Sequence, residues 1–383
     1  MLLAVACTGC PQTQVHALVV GSVVDGTTER PLAGVGVSSH GQKTTTDGDG
    51  RYSLDVKVGV RELQFALPDG RSERKYAVAR GAGNIRLDVL VPAASAPPPP
   101  ALLLQRGDSF DETFKDLSFD AGNQFMLSET DAQGNGDRFF APAWTSQEVE
   151  SPVWSPTGDA IYFSDRQGVA RPDALASRGL QRLDPVTGEL THLWFQASPP
   201  ESIAVAPDGH ALVATDGATV YLFQHLLDPP VTHTILVAPM PGPNAGFQWV
   251  AWAPANFIYA GVAEPVDAGA SAFRYHIERL SETGEVLEAH VVDDATRPLP
   301  LADGGLVYWH GGAGVADPGL RLLENGATRN LMKGDWLFPV AFDRAANALT
   351  YRSGNELHRL NLDTGLDLVI VQSVRSASLK PTH

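Results

Sequence analysis

Few side chains in this sequence have the type and spacing that chemistry requires. Cys7 and Cys10 both lie within the first ten residues, a placement suited to a modified thiol or a small disulfide; the folded body is left with no thiol, disulfide or Cys-ligated metal. Asp47-x-Asp49-Gly50 and the stretch Asp131–Asp137 (DAQGNGD) have oxygen-rich spacing that a cation could use. The first lacks the further ligands of a calcium loop, and the second holds Gly134 and Gly136, so both read better as hairpin tips. The body's histidines (His192, His210, His225, His233, His276, His290, His310 and His358) are scattered and never paired at ligand spacing. There is no Gly-x-Ser-x-Gly elbow, no His-Glu-x-x-His and no phosphate-cradling loop; Gly311-Gly312-Ala313-Gly314 opens no helix and reads as a connection between strands. The sequence therefore names no catalytic, cofactor-binding or metal-binding residue. It leaves open a site assembled from residues far apart in the chain.

The elements that would position such a site are strands. Composition is globular, 43% hydrophobic and 19% charged, and 37 glycines with 28 prolines fit many short strands joined by turns. The formal net charge of −16 is uneven: residues 1–100 carry ten basic and nine acidic side chains, which leaves the remainder at −17. A body this acidic repels nucleic-acid phosphates, so a nucleic-acid partner is excluded. No apolar run approaches the roughly 20 residues of a spanning helix, so any membrane contact is expected through a lipid alone.

At the N-terminus, Leu3-Ala4-Val5-Ala6-Cys7 resembles the lipobox of bacterial lipoproteins, which implies lipidation at Cys7, with Cys10 as the alternative. No Lys or Arg precedes Cys7, as expected if a basic segment of the leader lies upstream. Residues 1–13 are then a signal remnant and tether, and the location is the bacterial cell envelope.

Residues 14–92 alternate apolar and polar positions over Ala17–Asp25, Tyr52–Val58, Glu62–Leu67 and Ile85–Val91, with Asp47-Gly48-Asp49-Gly50 as a hairpin signal and no helical period. A small all-β sandwich follows. Gly21-x-Val23-x-Asp25, Pro31-Leu32-Ala33-Gly34-Val35 and Thr46-Asp47-Gly48-x-Gly50-x-Tyr52 resemble the carboxypeptidase regulatory-like domain, a prealbumin-like sandwich. That resemblance implies no catalytic residues, with carbohydrate binding as a use in some related sandwiches. Residues 93–100 (AASAPPPP) are expected to form an extended polyproline spacer.

Residues 101–383 repeat one cassette. Val153–Asp165 reads VWSPTGDAIYFSD, Ala204–Asp216 reads AVAPDGHALVATD and Val250–Gly261 reads VAWAPANFIYAG; weaker copies occupy 118–129, 300–309 and 341–352. Their spacing of roughly 40–50 residues is that of a propeller blade. A second hairpin follows at Leu180–Leu193, His276–Ala289, Leu320–Met332 and Glu356–Val369, three of them turning at Thr-Gly. Two hairpins make one four-stranded blade; the count is six, with seven as the alternative, and Ala101–Gln105 is available to close the ring. All seven tryptophans lie in this body, and Trp154 and Trp252, beside the cassette's turn, are expected to pack between blades. Ser155-Pro156-x-Gly158 and Ala206-Pro207-Asp208-Gly209 resemble the TolB-type, WD40-like PD40 repeat. The α/β domain that accompanies the propeller in TolB has no counterpart here.

The chain is thus expected to be all-β: a prealbumin-like sandwich, a Pro-rich linker and a TolB-like propeller. The function expected is a non-enzymatic, monomeric envelope lipoprotein that binds an envelope protein or glycan and needs no cofactor. The alternatives are a propeller hydrolase or lyase acting on sugar or peptide at the axis, and a carbohydrate-binding module resting on the sandwich.

Overall fold

The computed structural model describes residues 15–79, 81–92, 101–106, 126–131, 133–135, 138–139, 149–165, 179–195, 200–226, 231–237, 245–267, 272–372 and 374–379. Cys7, Cys10 and the Pro-rich linker lie outside them, as does the first half of the cassette copy at 118–129. Eight four-stranded sheets and no helix make up the described residues.

Two of these sheets form the sandwich. In one, His16–Asp25 pairs antiparallel with Arg51–Lys57 and parallel with both Asn84–Arg86 and Val89–Val91. In the other, Gly36–Ser39 pairs with Gln42–Thr45 and Gly59–Ala66, and the last of these with Ser72–Ala79. Their inner faces meet in a core that includes Val19, Val37, Leu54, Phe65 and Leu87. The stretch expected as one strand over 85–91 is two, because the backbone amide of Asp88 donates to the Val369 carbonyl of the propeller. Ser72–Ala79 (SERKYAVA) is a further strand that apolar alternation does not predict, because it opens on charged residues, yet Lys75 within it is only 1% exposed. The Asp47 carboxylate accepts from the amides of Asp49 and Arg51 and Gly50 donates to the Asp47 carbonyl, the geometry of a turn.

The other six sheets are blades of a propeller. Blade 2 runs Val149–Trp154, Ile161–Asp165, Gly179–Leu183, Leu190–Phe195; blade 3, Ser202–Val205, Ala211–Thr215, Val220–Gln224, Thr232–Val237. Blade 4 runs Gly246–Ala253, Phe257–Pro265, Phe273–Leu280, Val286–Asp293; blade 5, Ala295–Pro300, Leu306–His310, Gly319–Glu324, Ala327–Lys333; blade 6, Phe338–Asp343, Ala348–Ser353, Glu356–Asn361, Asp367–Gln372. In each, the first strand lies innermost, against the first strands of its neighbours. Blade 1 is composite: its innermost strand is the C-terminal Val374–Leu379, which pairs with Ala101–Arg106, followed by Met126–Asp131 and Arg138–Phe139. Ala101–Arg106 therefore does help close the ring, as the second strand of the closing blade. The cassette copy expected at 118–129 is not an inner hairpin: its strand, from Met126, is third from the axis, because the C-terminal strand takes the inner place.

The cassette's turn shows why copies that lost its letters keep its shape. Gly158, Gly209, Asn256, Gly304 and Asn347 each have positive φ and donate their amide to the carbonyl three residues earlier. Glycine adopts that conformation without a Cβ penalty and asparagine tolerates it, so AWAPANF and AFDRAANA turn as SPTG does. Between blades, Trp154 packs with Leu127, Ile161, Phe163 and Leu183, and Trp252 with Phe247, Ile258 and Ala206, as expected for inter-blade packing.

The sandwich does not stand off from the propeller. Val24 and Leu90 of the sandwich share one apolar cluster with Leu102, Leu104, Leu357, Leu368, Ile370 and Val371. The outermost strand of blade 6, DLVIVQ, is buried along its length, whereas those of blades 3, 4 and 5 are mostly exposed. Polar groups complete the contact. Asp88 receives Val369 N–H at 3.1 Å and its own amide donates back at 2.8 Å, while Gln372 receives Val78 N–H at 3.1 Å and donates to the Arg86 carbonyl at 2.6 Å. The Lys75 ammonium donates to the carbonyls of Ile370 and Gln133, both at 2.9 Å. A sheet edge that would otherwise offer free backbone groups is thereby covered. The Asp131 turn takes part too: its carboxylate caps the amides of Gln133 and Asn135, and the Asn135 side chain donates to Leu90 O, so the hairpin-tip reading holds where it is described.

Two predictions follow from this interface. Lys75→Met keeps the volume but leaves two buried carbonyls without their donor, which costs about 2–4 kcal/mol and splits one calorimetric unfolding transition into two. A single unsplit transition at the wild-type temperature would show that the ammonium is not what joins the domains. Beside the interface, burial pushes the His358 imidazole pKa down, but hydrogen bonds to Asp367 at 3.3 Å and Glu356 at 3.5 Å outweigh it and carry it to about 9. The folded value lies above the unfolded one near 6.5, so this stabilisation is complete below about pH 6.5 and is lost as pH rises through 9. Urea unfolding of wild type and His358→Gln at pH 6 and pH 9.5 should show a stability gap at the lower pH that closes at the higher.

Candidate functional site

A propeller's inner strands converge, so side chains that leave the regular pleat there point into the axis. Five of the six inner strands carry a one-residue bulge: the register slips between Glu150 and Val153, Phe247 and Trp249, Thr296 and Leu299, Pro339 and Ala341, and Val374 and Ser376. Bulges re-aim side chains and bend strands at the rims of closed sheets. The bulged residues include Ser151-Pro152, Gln248, Arg297-Pro298 and Val340, the last directly after Pro339, and bulges are among the few sites in a sheet that tolerate proline.

These residues line an axial cavity of about 870 Å³, with walls from all six blades. Among the described residues its ionisable lining groups are Arg297, Arg352 and Glu201; Gln248, Asn355, Ser151, Ser202 and Ser378 add neutral polar groups, and Trp249, Trp252 and Phe338 apolar surface. No histidine, cysteine or aspartate lines it among the described residues.

Arg297 is the most unusual residue of the cavity. It is 6% exposed, and its backbone sits at φ 57°, a region that costs a side-chain-bearing residue of order 1–3 kcal/mol. Its guanidinium carbon lies 3.2 Å from the ring centre of Phe338, 4.9 Å from Trp249, 5.1 Å from Trp336 and 5.5 Å from Trp309. One Nη donates to the Leu337 carbonyl at 3.2 Å, while Nε is buried without a partner among the described residues. Burial first, then the charge of nearby Arg352, lowers its pKa to about 9. Arg352 lies over the same Phe338 ring at 3.6 Å and donates to the Gly354 carbonyl at 2.6 Å. Two cations thus flank one aromatic ring, with four rings around the first. Aromatic faces offset part of the cost of removing a cation from water, but they accept no N–H bond in the plane of the guanidinium.

Behind this cage lies a second pocket of about 390 Å³, lined by Phe273, Tyr275, Trp309, Gly312 and Trp336 and reached from the same Gln248. Trp309 and Trp336 stack with ring centres 5.0 Å apart and 18° between planes, and Tyr275 stands edge-on to both. A Cβ at Gly311 would collide with the Trp309 ring, so the glycine run has a packing purpose. Trp336 is 51% exposed and at φ 52°.

The histidines stay away from the axis. The structure nevertheless brings two together: His276 and His290, on paired strands of blade 4, stack 4.4 Å apart, each beside its own carboxylate, Glu278 at 3.4 Å and Asp293 at 2.7 Å. Strand pairing across the hairpin, not spacing along the chain, brings these two rings together. No group of three or more His, Cys, Asp or Glu among the described residues could hold a metal ion. Asp159 is bound by the hydroxyls of Ser155 and Thr157 within the cassette's turn, as a turn residue should be.

No protein-family profile matches the sequence, and no curated protein does. Among solved structures the chain is similar to TolB from Acinetobacter baumannii, with a TM-score of 0.52 and 14% identity over 85% of this chain and 81% of that one. At that identity the likeness establishes the fold, a TolB-like propeller.

If Arg297 is held for binding and not for stability, Arg297→Met should raise the unfolding free energy by about 1 kcal/mol, because an apolar side chain of similar length removes a desolvated cation that has no acidic partner among the described residues. Calorimetry at pH 7 measures this; a clear loss of stability would mean that the aromatic cage more than compensates the buried charge.

Proposed function

We propose that this protein is a non-enzymatic scaffold of the bacterial cell envelope, held to the membrane by a lipid on Cys7 (alternatively Cys10), whose propeller receives a partner in its axial cavity. The observation that carries this reading is the cavity itself: about 870 Å³, walled by every blade, and furnished with arginines, amides, hydroxyls and aromatic rings. Such a lining suits recognition of an extended segment better than bond cleavage, because its described residues offer no carboxylate pair and no base beside a nucleophile. The TolB-like fold supports a scaffold role. Docking of the sandwich supports a structural use for that domain, since one of its flanks is spent covering the edge of blade 6. In this reading the chain acts as a monomer, and residues 93–100 link two parts of one body.

The test is capture of partners from envelope extracts after cross-linking, with the full chain and with Gln248→Trp, which places a bulky ring where both cavities meet. Partners should fall at least about tenfold with the filled axis, and Cys7→Ser should move the protein out of the membrane fraction. Undiminished capture by Gln248→Trp would refute the axial reading. Continued membrane association of a chain lacking both Cys7 and Cys10 would refute the lipid anchor.

A further inference from the structure

Arg297 and Arg352 present a problem that the scaffold reading does not solve. A buried guanidinium ordinarily faces a carboxylate or a set of carbonyls that uses most of its five N–H groups. Among the described residues Arg297 has the Leu337 carbonyl and four rings, with Nε unpartnered, and a second cation, Arg352, shares the Phe338 ring with it. The backbone that carries it is strained and precedes Pro298, although a residue before proline favours extended conformations. Strain, a like-charge neighbour and an unsatisfied buried donor coincide at one point of a chain whose net charge is −16. Each is unfavourable without a counter-charge, and one oxyanion relieves the last two together.

We propose that Arg297 and Arg352, held on the ring of Phe338, form a carboxylate-binding site in the wall of the axial cavity. This deepens the axial reading above and rests on it for the supposition that the carboxylate arrives on a partner segment. A carboxylate fits better than a phosphate for two reasons. Among the described residues the ionisable lining groups are two guanidiniums and Glu201, a set that a monoanion matches more closely than a phosphate dianion does. The rings of Trp249 and Phe338 and the prolines at 298, 300 and 339 give the cavity an apolar surface that suits the stem of an amino-acid residue, which inorganic phosphate lacks. The planar forks of the two arginines supply paired N–H donors of the geometry a carboxylate accepts. Aromatic packing fixes the Arg297 fork before the ligand arrives, so less rotamer freedom is lost on binding. The acidic exterior repels anions in general, so selection falls to fit at this point and not to bulk attraction.

The site carries its own reporter, since three tryptophans surround Arg297. The full chain is titrated at constant ionic strength, followed by tryptophan fluorescence and calorimetry, with five probes: N-acetylalanine, its amide, N-acetylglutamic acid α-amide, N-acetylglutamine amide and inorganic phosphate. At least one carboxylate should bind saturably and at least about tenfold more tightly than its neutral counterpart and than phosphate; which one binds tells whether a chain terminus or an acidic side chain is the source. Arg297→Gln and Arg352→Gln should each weaken that binding about tenfold or more. Arg297→Lys, which keeps charge without the fork, should restore little of it, and Arg329→Gln on an exposed outer strand should change nothing. Retention of the wild-type melting temperature by the glutamine variants separates lost binding from lost folding. Equal binding of acid and amide, or phosphate binding as tight as carboxylate, overturns the proposal. Envelope partners retained by Arg297→Gln but lost by Gln248→Trp would overturn the carboxylate site alone and leave the axial scaffold standing.

Discussion

A twisted four-stranded sheet with apolar residues on both faces cannot be stable by itself, and the body of this protein is six such sheets. Each blade's faces are buried only because a neighbour stands on either side, so the arrangement is stable only as a closed ring. Closure is made by backbone pairing between the C-terminal strand and the first strand of the propeller. The inter-blade tryptophans, the axial cavity and the bulges that furnish it all presuppose that seam.

The sandwich reinforces the same region. It packs against the outer strand of blade 6 and reaches the turn of blade 1 through Lys75 and the contact between Leu90 and Asn135. The two blades that meet at the seam are therefore bridged from outside by a third element. Asp88 illustrates how tightly this is specified: its buried carboxylate binds Ser22 and Arg86 within the sandwich and Val369 across the interface. Groups that are polar and buried fix one relative placement of the domains, because any other leaves them unsatisfied.

The architecture was legible in the sequence where local physics repeats. Positive-φ turns recur at intervals of roughly 40–50 residues and announce themselves as Gly or Asn, and the Thr-Gly hairpins mark the outer strands. Of the composite first blade, the part of Ala101–Gln105 in closing the ring was legible, but its C-terminal partner was not, since pairing between Ala101–Arg106 and Val374–Leu379 leaves no local trace. The docked interface left a trace that alternation-based reasoning passes over: Leu368-Val369-Ile370-Val371 is continuously apolar where sister strands alternate or are polar, the mark of a strand covered on both faces. Of the axial site, only Ser151-Pro152, Arg297-Pro298 and Pro339, prolines just upstream of the cassettes, hinted at bulges. That Arg297 and Arg352 share one ring is a fact of the closed ring, and no spacing within a single blade encodes it.

A seam that joins the two ends of the propeller also sets a schedule. Ala101–Arg106 leaves the ribosome early, yet the strand that pairs with its inner edge follows roughly 270 residues later, an interval of tens of seconds at 5–20 residues per second. Through that interval the strand shows an unpaired, apolar edge (ALLLQ) of the kind that recruits foreign strands. The same late arrival means that nothing downstream of blade 1 can lock in an error of blade order, since the ring is tied only once every blade has been made. Biosynthesis of this protein thus favours an environment that shelters nascent edges, and the molecule's most exposed moment comes before its last strand exists.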